Sequence, residues 1–334
     1  MIFGFLFWLF LIGIIVASLQ DLKRREVDNW LNLFLIFSSV VYLFFEYFVS
    51  GDFFYLIVLV SCAFLTSFLY FYNGKMFSDI EKSKKKYYSF LSSIVVLFGV
   101  VVFSIVRIFG VKDMPFFLIA ALTFLIMFVV SNLFYEGRVF AGGDAKLLFA
   151  MTVFFIGMTF VGTLINIGVF LLFLMLSGSI YGLVYSFVLY FRDFEKVNVE
   201  MKKGILNKWT RYIFLLGVVL LLFGFFDWLF VLFGFLILLF PVLYVFAKGL
   251  EAVSMMRTVS GKELREGDWL VNDMKVGKKV VKADWNGLSL EDIELLKSKK
   301  KVDIKDGLPF VPAFLIAFLI YVFLKDYLFS IFIG

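Results

Sequence analysis

The sequence predicts an all-α polytopic membrane protein of about ten transmembrane helices, carrying a small cytoplasmic α+β domain. Three observations lead there. Of 334 residues, 63% are apolar and mean hydropathy is +1.00, well beyond the roughly 45–50% apolar content of soluble domains. The apolar residues are gathered into long unbroken runs, where barrel strands would alternate apolar with polar. Lys and Arg are concentrated between those runs, as cytoplasmic loops of membrane proteins require.

The elements follow in order. A span needs roughly 20 apolar residues. Five such runs precede the midpoint, at 2–19, 30–49, 53–73, 88–109 and 115–135. The run 147–191 is long enough for two spans turning near Gly162 to Leu164. The run 212–247 fits two short spans turning near Phe225 to Trp228, and a last run covers 309–333. The first run carries no charge in Met1-Ile2-Phe3 and leads into Asp21-Leu22-Lys23-Arg24-Arg25 without a small-residue cleavage site, so a retained helix is expected. With the N-terminus outside, the cytoplasmic segments are 20–29, 74–87, 136–146, 192–211 and 248–308. They hold 29 of the 32 Lys and Arg residues. The net charge of +6 is thus a topology signal and an attraction to anionic lipid; no nucleic-acid partner is expected.

Residues 250–308 read as water-exposed structure. Leu264-Arg265-Glu266-Gly267-Asp268 and Val276-Gly277-Lys278-Lys279-Val280-Val281 suggest short strands around a turn. Leu288-Ser289-Leu290-Glu291-Asp292 opens a short helix with Ser289 as N-cap and Asp292 at N3. The expected organisation is a membrane core carrying Asp21 and Asp144 (1–191), a basic loop and helical hairpin (192–249), the cytoplasmic domain (250–308) and a final span (309–334).

The composition also excludes chemistry. With no histidine, Ser-His and Cys-His nucleophiles and His-ligated zinc or haem are out. The single cysteine, Cys62, lies in an apolar run, which removes disulfides and CxxC redox chemistry. No cofactor and no metal is expected. Carboxylates remain, and ionisable residues in a membrane are functional candidates by default. Asp21 ends the first helix, and Asp144, in Ala141-Gly142-Gly143-Asp144-Ala145-Lys146, enters the sixth. Counting spans puts both at the cytoplasmic level although 123 residues separate them. Two carboxylates at close range share a proton, so one can act as base toward water and the other as acid toward a carbonyl. Gly142 and Gly143 would let a substrate backbone approach. Each acid has a plainer reading too: Asp144 as a helix N-cap, Asp21 as a juxtamembrane acid pairing with Lys23 to Arg25. Lys23 and Lys146 could stabilise the pair or anchor headgroups. Glu46, Arg107, Asn132 and Asn166 read as packing residues inside helices.

The stretch Asp21 to Asn29 closing the first helix, followed by Gly142-Gly143-Asp144-Ala145-Lys146-Leu147-Leu148, resembles the archaeal type IV prepilin and preflagellin (prearchaellin) peptidases. These are GxGD-type aspartic proteases of the membrane. Gly307-Leu308-Pro309-Phe310-Val311-Pro312-Ala313-Phe314 also looks like the C-terminal part of archaeal members. The resemblance implies that Asp21 and Asp144 are the catalytic dyad, with Asp28 outside the matching position. It implies pilin or archaellin precursors as partners, membrane lipid as surroundings, and leader cleavage at the cytoplasmic face. Glu26, Asp28 and Glu136 share that level and could attract a basic leader. The chain departs from the family in having Ala141 where the first motif glycine falls, and in having more helices than compact members. Lacking a CxxC domain, it is not expected to be a methyltransferase. Two alternatives stand beside this one. A presenilin-type protease would place its first aspartate late in the bundle, and Pro312-Ala313-Phe314 only partly resembles the PAL motif. A transporter or pilus-assembly component could use paired acids as a proton relay, although such sites lie near the midplane.

Overall fold

A computed structural model describes residues 2–50, 60, 110, 114–137, 139–205, 207–265, 267–277, 279–284 and 287–332. Apart from residue 60, the expected spans 53–73 and 88–109, the basic loop 74–87, Cys62 and Arg107 lie outside the described residues.

Helix α1 (Ile2–Arg24) runs five residues beyond the apolar stretch and carries Asp21 in its last turns, with Lys23 and Arg24 at the end where cations suit the helix dipole. Arg25 ends it in the left-handed region (φ 59°) while its N–H still reaches the Asp21 carbonyl at 2.8 Å. Helix α2 (Asn29–Ser50) starts immediately afterwards. Helix α3 (Phe116–Glu136) begins behind Pro115 and stops at Gly137. Helix α4 (Gly142–Ala150) continues into a 3-10 turn, Met151–Phe155, with every residue of the turn buried. Helix α5 (Phe160–Arg192) follows.

The run 147–191 does break, but at 156–159 and not near Gly162 to Leu164. Thr159 explains the position: its Oγ1 accepts the Gly162 N–H at 3.1 Å, as an N-cap does, and its carbonyl accepts the Thr163 N–H. Asn166 of α5 then donates to the Phe155 carbonyl at 3.1 Å, closing the end of the 3-10 turn. The other long run turns where expected. Helices α6 (Phe194–Ile205), α7 (Lys208–Phe223) and α8 (Trp228–Val253) follow α5, and the α7–α8 turn ends at Asp227, whose carboxylate caps Leu229 N–H at 2.9 Å.

The small mixed region holds β1 (Met256–Val259), β2 (Trp269–Leu270), β3 (Met274–Val276), β4 (Lys279–Val281), α9 (Leu290–Leu296) and β5 (Val302–Lys305). One sheet has the order β1-β5-β2, all antiparallel, with Val259 opposite Val302 and Trp269 opposite Lys305. The other is the β3–β4 hairpin, turning at Gly277 (φ 60°). Ser289 caps α9 and Asp292 returns the bond, as the sequence indicates. Leu264, Arg265, Gly267 and Asp268 are not part of a strand. Asp268 folds back to accept the Arg265 N–H at 2.8 Å, Gly267 takes φ 90°, and pairing begins only at Trp269. Helix α10 (Val311–Phe332) ends the described chain.

Four described helices, α1, α3, α5 and α8, are long and apolar enough to cross a bilayer, or five spans if the bent pair α6–α7 counts as one. Shorter apolar stretches lie in α2 (Asn29–Phe45) and α10 (Val311–Lys325). The protein is therefore largely helical, with multiple candidate spans and a small sheet region.

The chain forms two compact units, Met1–Ser179 with Pro309–Gly334, and Ile180–Leu308. The first has an aromatic core. Phe154 meets Phe10 and Phe318 edge-on at 4.9 and 5.0 Å between ring centres, and Phe155 packs on Phe170 and Tyr321. Tyr321 donates to the Phe154 carbonyl at 3.1 Å. In the second, Val259, Leu270, Leu288, Leu296, Val302 and Ile304 close a small core between sheet and helix.

Candidate active site

One helix end and the starts of two others build the site, all within the first unit. Asp21 is one turn from the end of α1 and only 7% exposed. Asp144 occupies the third position of α4 and is 8% exposed. Burial of a carboxyl to this degree is costly without partners, so the partners are informative.

Asp144 Oδ2 accepts the N–H of Ala141, its own N-cap residue, at 3.2 Å. This is the return half of a capping box; Ala141 has no side-chain acceptor to complete it. Asp21 Oδ2 accepts the N–H of Val311, the first residue of α10, at 2.9 Å. The Phe310 amide also faces that carboxylate, and the Arg25 charge is within electrostatic reach of it. The charge of Asp21 bears on Asp144. The structure thus brings the two sequence-predicted acids into one buried neighbourhood.

The supporting residues separate. Gly143 lies against Val27, with space for a Cβ at 3.5 Å from the Val27 Cβ, and Gly142 lies beside the Tyr135 ring. Both are partly buried, and a Cβ at either would sit at ordinary contact distance from its neighbour. Lys146 donates to Asn29 Oδ1, tying α4 to the start of α2, and Glu26 acts on it electrostatically. Lys23 is exposed on α1. Asp28 is held by Gln20, which donates to its Oδ2 at 2.9 Å and accepts its N–H at 3.0 Å, and by the Trp30 indole. Asp28 therefore shapes the α1–α2 corner. Glu26 is exposed. Asn132 and Asn166 bond to backbone carbonyls of their neighbourhood, at Phe128 and Phe155.

Sequence reasoning missed the Phe310 and Val311 amides. The signal that a helix begins there was present in Pro309 and Pro312, since proline favours the first helical turn. Nothing in the sequence tied that helix start to Asp21. Among the described residues, no three Cys, Asp or Glu side chains converge as a metal site.

Two buried carboxyls that interact can hold one proton between them, and a water bound between them would meet a base and an acid together. No protein-family model, no curated protein and no solved structure matches this chain.

Proposed function

We propose that this chain is a membrane-embedded aspartic endopeptidase that removes the leader of type IV pilin-like or archaellin precursors. The observation that carries the reading is the shared burial of Asp21 and Asp144, distant in sequence and close enough for their charges to interact. The resemblance of the Asp21 and Gly142-Gly143-Asp144 segments to prepilin peptidases supplies the substrate class.

The chemistry needs nothing beyond the pair. The ionised carboxylate takes a proton from water while the oxygen adds to the scissile carbonyl carbon. The protonated carboxyl gives its proton to the carbonyl oxygen, forming a tetrahedral diol. Collapse breaks the C–N bond, a proton passes to the leaving nitrogen, and an acid and an amine are released. The apolar helix of a precursor docks laterally among the enzyme's helices, which leaves its leader junction at the level of the two acids. In this reading the chain has about ten spans with the N-terminus outside, and the basic segments put the site at the cytoplasmic face. Residues 250–308 then lie in the cytoplasm.

The test is cleavage of a model pilin precursor by the detergent-solubilised protein, read as a size shift on a gel. Asp21→Asn and Asp144→Asn are each expected to lose at least about a thousandfold in rate, as removal of a proton-transfer group does, while inserting normally. Glu26→Gln and Asp28→Asn should have smaller effects. Full cleavage by purified Asp144→Asn protein would end the proposal.

A further inference from the structure

Asp21 and Asp144 are not equivalent, and the difference comes from a helix 290 residues away in the chain. Val311 is the first residue of α10. The first amides of a helix have no acceptor within it. Here the Val311 N–H finds one in Asp21 Oδ2 at 2.9 Å, and the Phe310 amide points the same way. Asp21 therefore occupies the place of a capping side chain, supplied from another helix. Aligned N–H groups at a helix start favour a negative charge, and a bond from N–H to an ionised carboxylate is stronger than one to a neutral acid. Arg25 adds a positive charge within reach of the same group.

Asp144 also lies in a first helical turn. Its carboxyl, however, reaches among the described residues only the Ala141 amide, at the longer distance of 3.2 Å, and the charge of Asp21 bears on it. From this asymmetry we infer that Asp21 is the ionised member of the pair and the general base, that Asp144 carries the shared proton and is the acid, and that the Val311 amide is the positioning donor that fixes this order. The inference rests on the protease reading and assigns roles within it.

The donor is itself held in place. The Phe310 ring packs against Phe140 at 5.5 Å and Phe314 at 5.9 Å between centres. Phe140 precedes Ala141, whose amide holds Asp144. On another side, Gly178 of α5 meets the Phe310 ring so closely that a Cβ there would stand 2.6 Å from it. One aromatic ring thus touches the supports of both acids. In the reaction, Asp21 takes the proton of the attacking water through its second oxygen. Asp144 gives its proton to the carbonyl oxygen; as the C–N bond breaks, Asp21 returns the proton it took to the leaving nitrogen and a diol hydroxyl gives its proton back to Asp144.

The experiment is the pH dependence of precursor cleavage by full-length protein in detergent, for wild type, Val311→Ala and Val311→Pro. Proline suits a first helical position and deletes the N–H, together with the buried isopropyl group that Val311→Ala also removes. Without that donor the ionised form of Asp21 is less favoured, so the acid limb of kcat/KM should move up by about one pH unit. kcat should fall on the order of tenfold with KM little changed. Val311→Ala keeps the amide, and its acid limb should stay at the wild-type pH whatever its rate. If Val311→Pro fails to fold, a backbone ester at 311, built with the α-hydroxy analogue of valine, deletes the same N–H and should shift the limb in the same direction. A Val311→Pro or ester profile that overlays wild type overturns the role of the amide, as does an equal shift in Val311→Ala. Wild-type protein that cleaves no precursor overturns the protease reading, and this assignment with it.

Discussion

Asp21 and Asp144, in the first unit, are each less than one-tenth exposed and are held by backbone amides, whereas Asp193 and Glu251, in the second, sit in open ion pairs. Arg192 reaches Asp193 at 2.9 Å, and Lys248 and Lys305 approach the two oxygens of Glu251 at 2.7 and 2.8 Å. The aromatic residues divide the same way. Phe149 and Phe155 are fully enclosed in the first unit, while Phe225 stands clear of protein and Phe226 is largely exposed at the α7–α8 turn. An exposed acid beside a cation is held at little cost and contributes little. A buried acid facing another acid is expensive, and a packed shell must keep it there. The first unit has that shell, so its acids are the ones whose chemistry needs explaining.

The largest effect on this contrast should come from removing part of the shell. Phe149 is fully buried and meets Phe124 and Phe128 edge-on at 6.0 and 6.3 Å. Phe149→Ala should cost about 3 kcal/mol of stability in detergent unfolding, at the lower end for a buried Phe, and lower precursor cleavage with it. Phe225→Ala should stay within about 0.5 kcal/mol. Equal losses in the two variants would erase the distinction between the units.

A smaller change tests whether the shell sets geometry as well as stability. Gly178→Ala places a methyl group against the Phe310 ring, which must shift and carry its neighbouring amides away from Asp21. Cleavage should fall on the order of tenfold, because small displacements of catalytic groups are costly. The melting temperature should drop only slightly. Gly168→Ala, in the same helix with open space around it, is the control. Similar rates for Gly178→Ala and Gly168→Ala would show that Phe310 does not transmit position to Asp21.

These tests depend on features that were unevenly legible in the sequence. The two acids could be read because carboxyls are rare in apolar runs and helix counting put them at one level. The α9 cap could be read because Ser289 and Asp292 are local and three residues apart. The contact that distinguishes Asp21 could not, since a backbone N–H has no residue type and Val311 is 290 residues away. The break at 156–159 hid inside an apolar stretch, where Thr159 marks it only through hydrogen bonds that hydropathy does not register. The stretch Leu264 to Asp268 suggested a short strand beside a turn, but the Asp268 side chain competes for the Arg265 N–H and turns the chain. The β-structure that does form is set by pairing with β5, more than thirty residues downstream.

The smallest expected effect lies in the second unit. The Arg192 guanidinium holds the Asp193 carboxyl below the usual carboxylate range, and the Ser254 hydroxyl, donating at 2.9 Å from the end of α8, adds to it. A folded-state value below the unfolded one of about 3.9 means that the stabilisation is present above that pH and is lost as the pH falls through the lower, folded value. Arg192 is 61% exposed, so solvent screening keeps the contribution under about 1 kcal/mol. Asp193→Asn should therefore lower stability slightly at pH 7, and the gap to wild type should close as the pH falls through that lower, folded value. Denaturant unfolding in detergent at several pH values would measure it. Cleavage should be unchanged throughout, and a loss of activity in Asp193→Asn comparable to that of Asp144→Asn would mean that the open acids also take part in the chemistry.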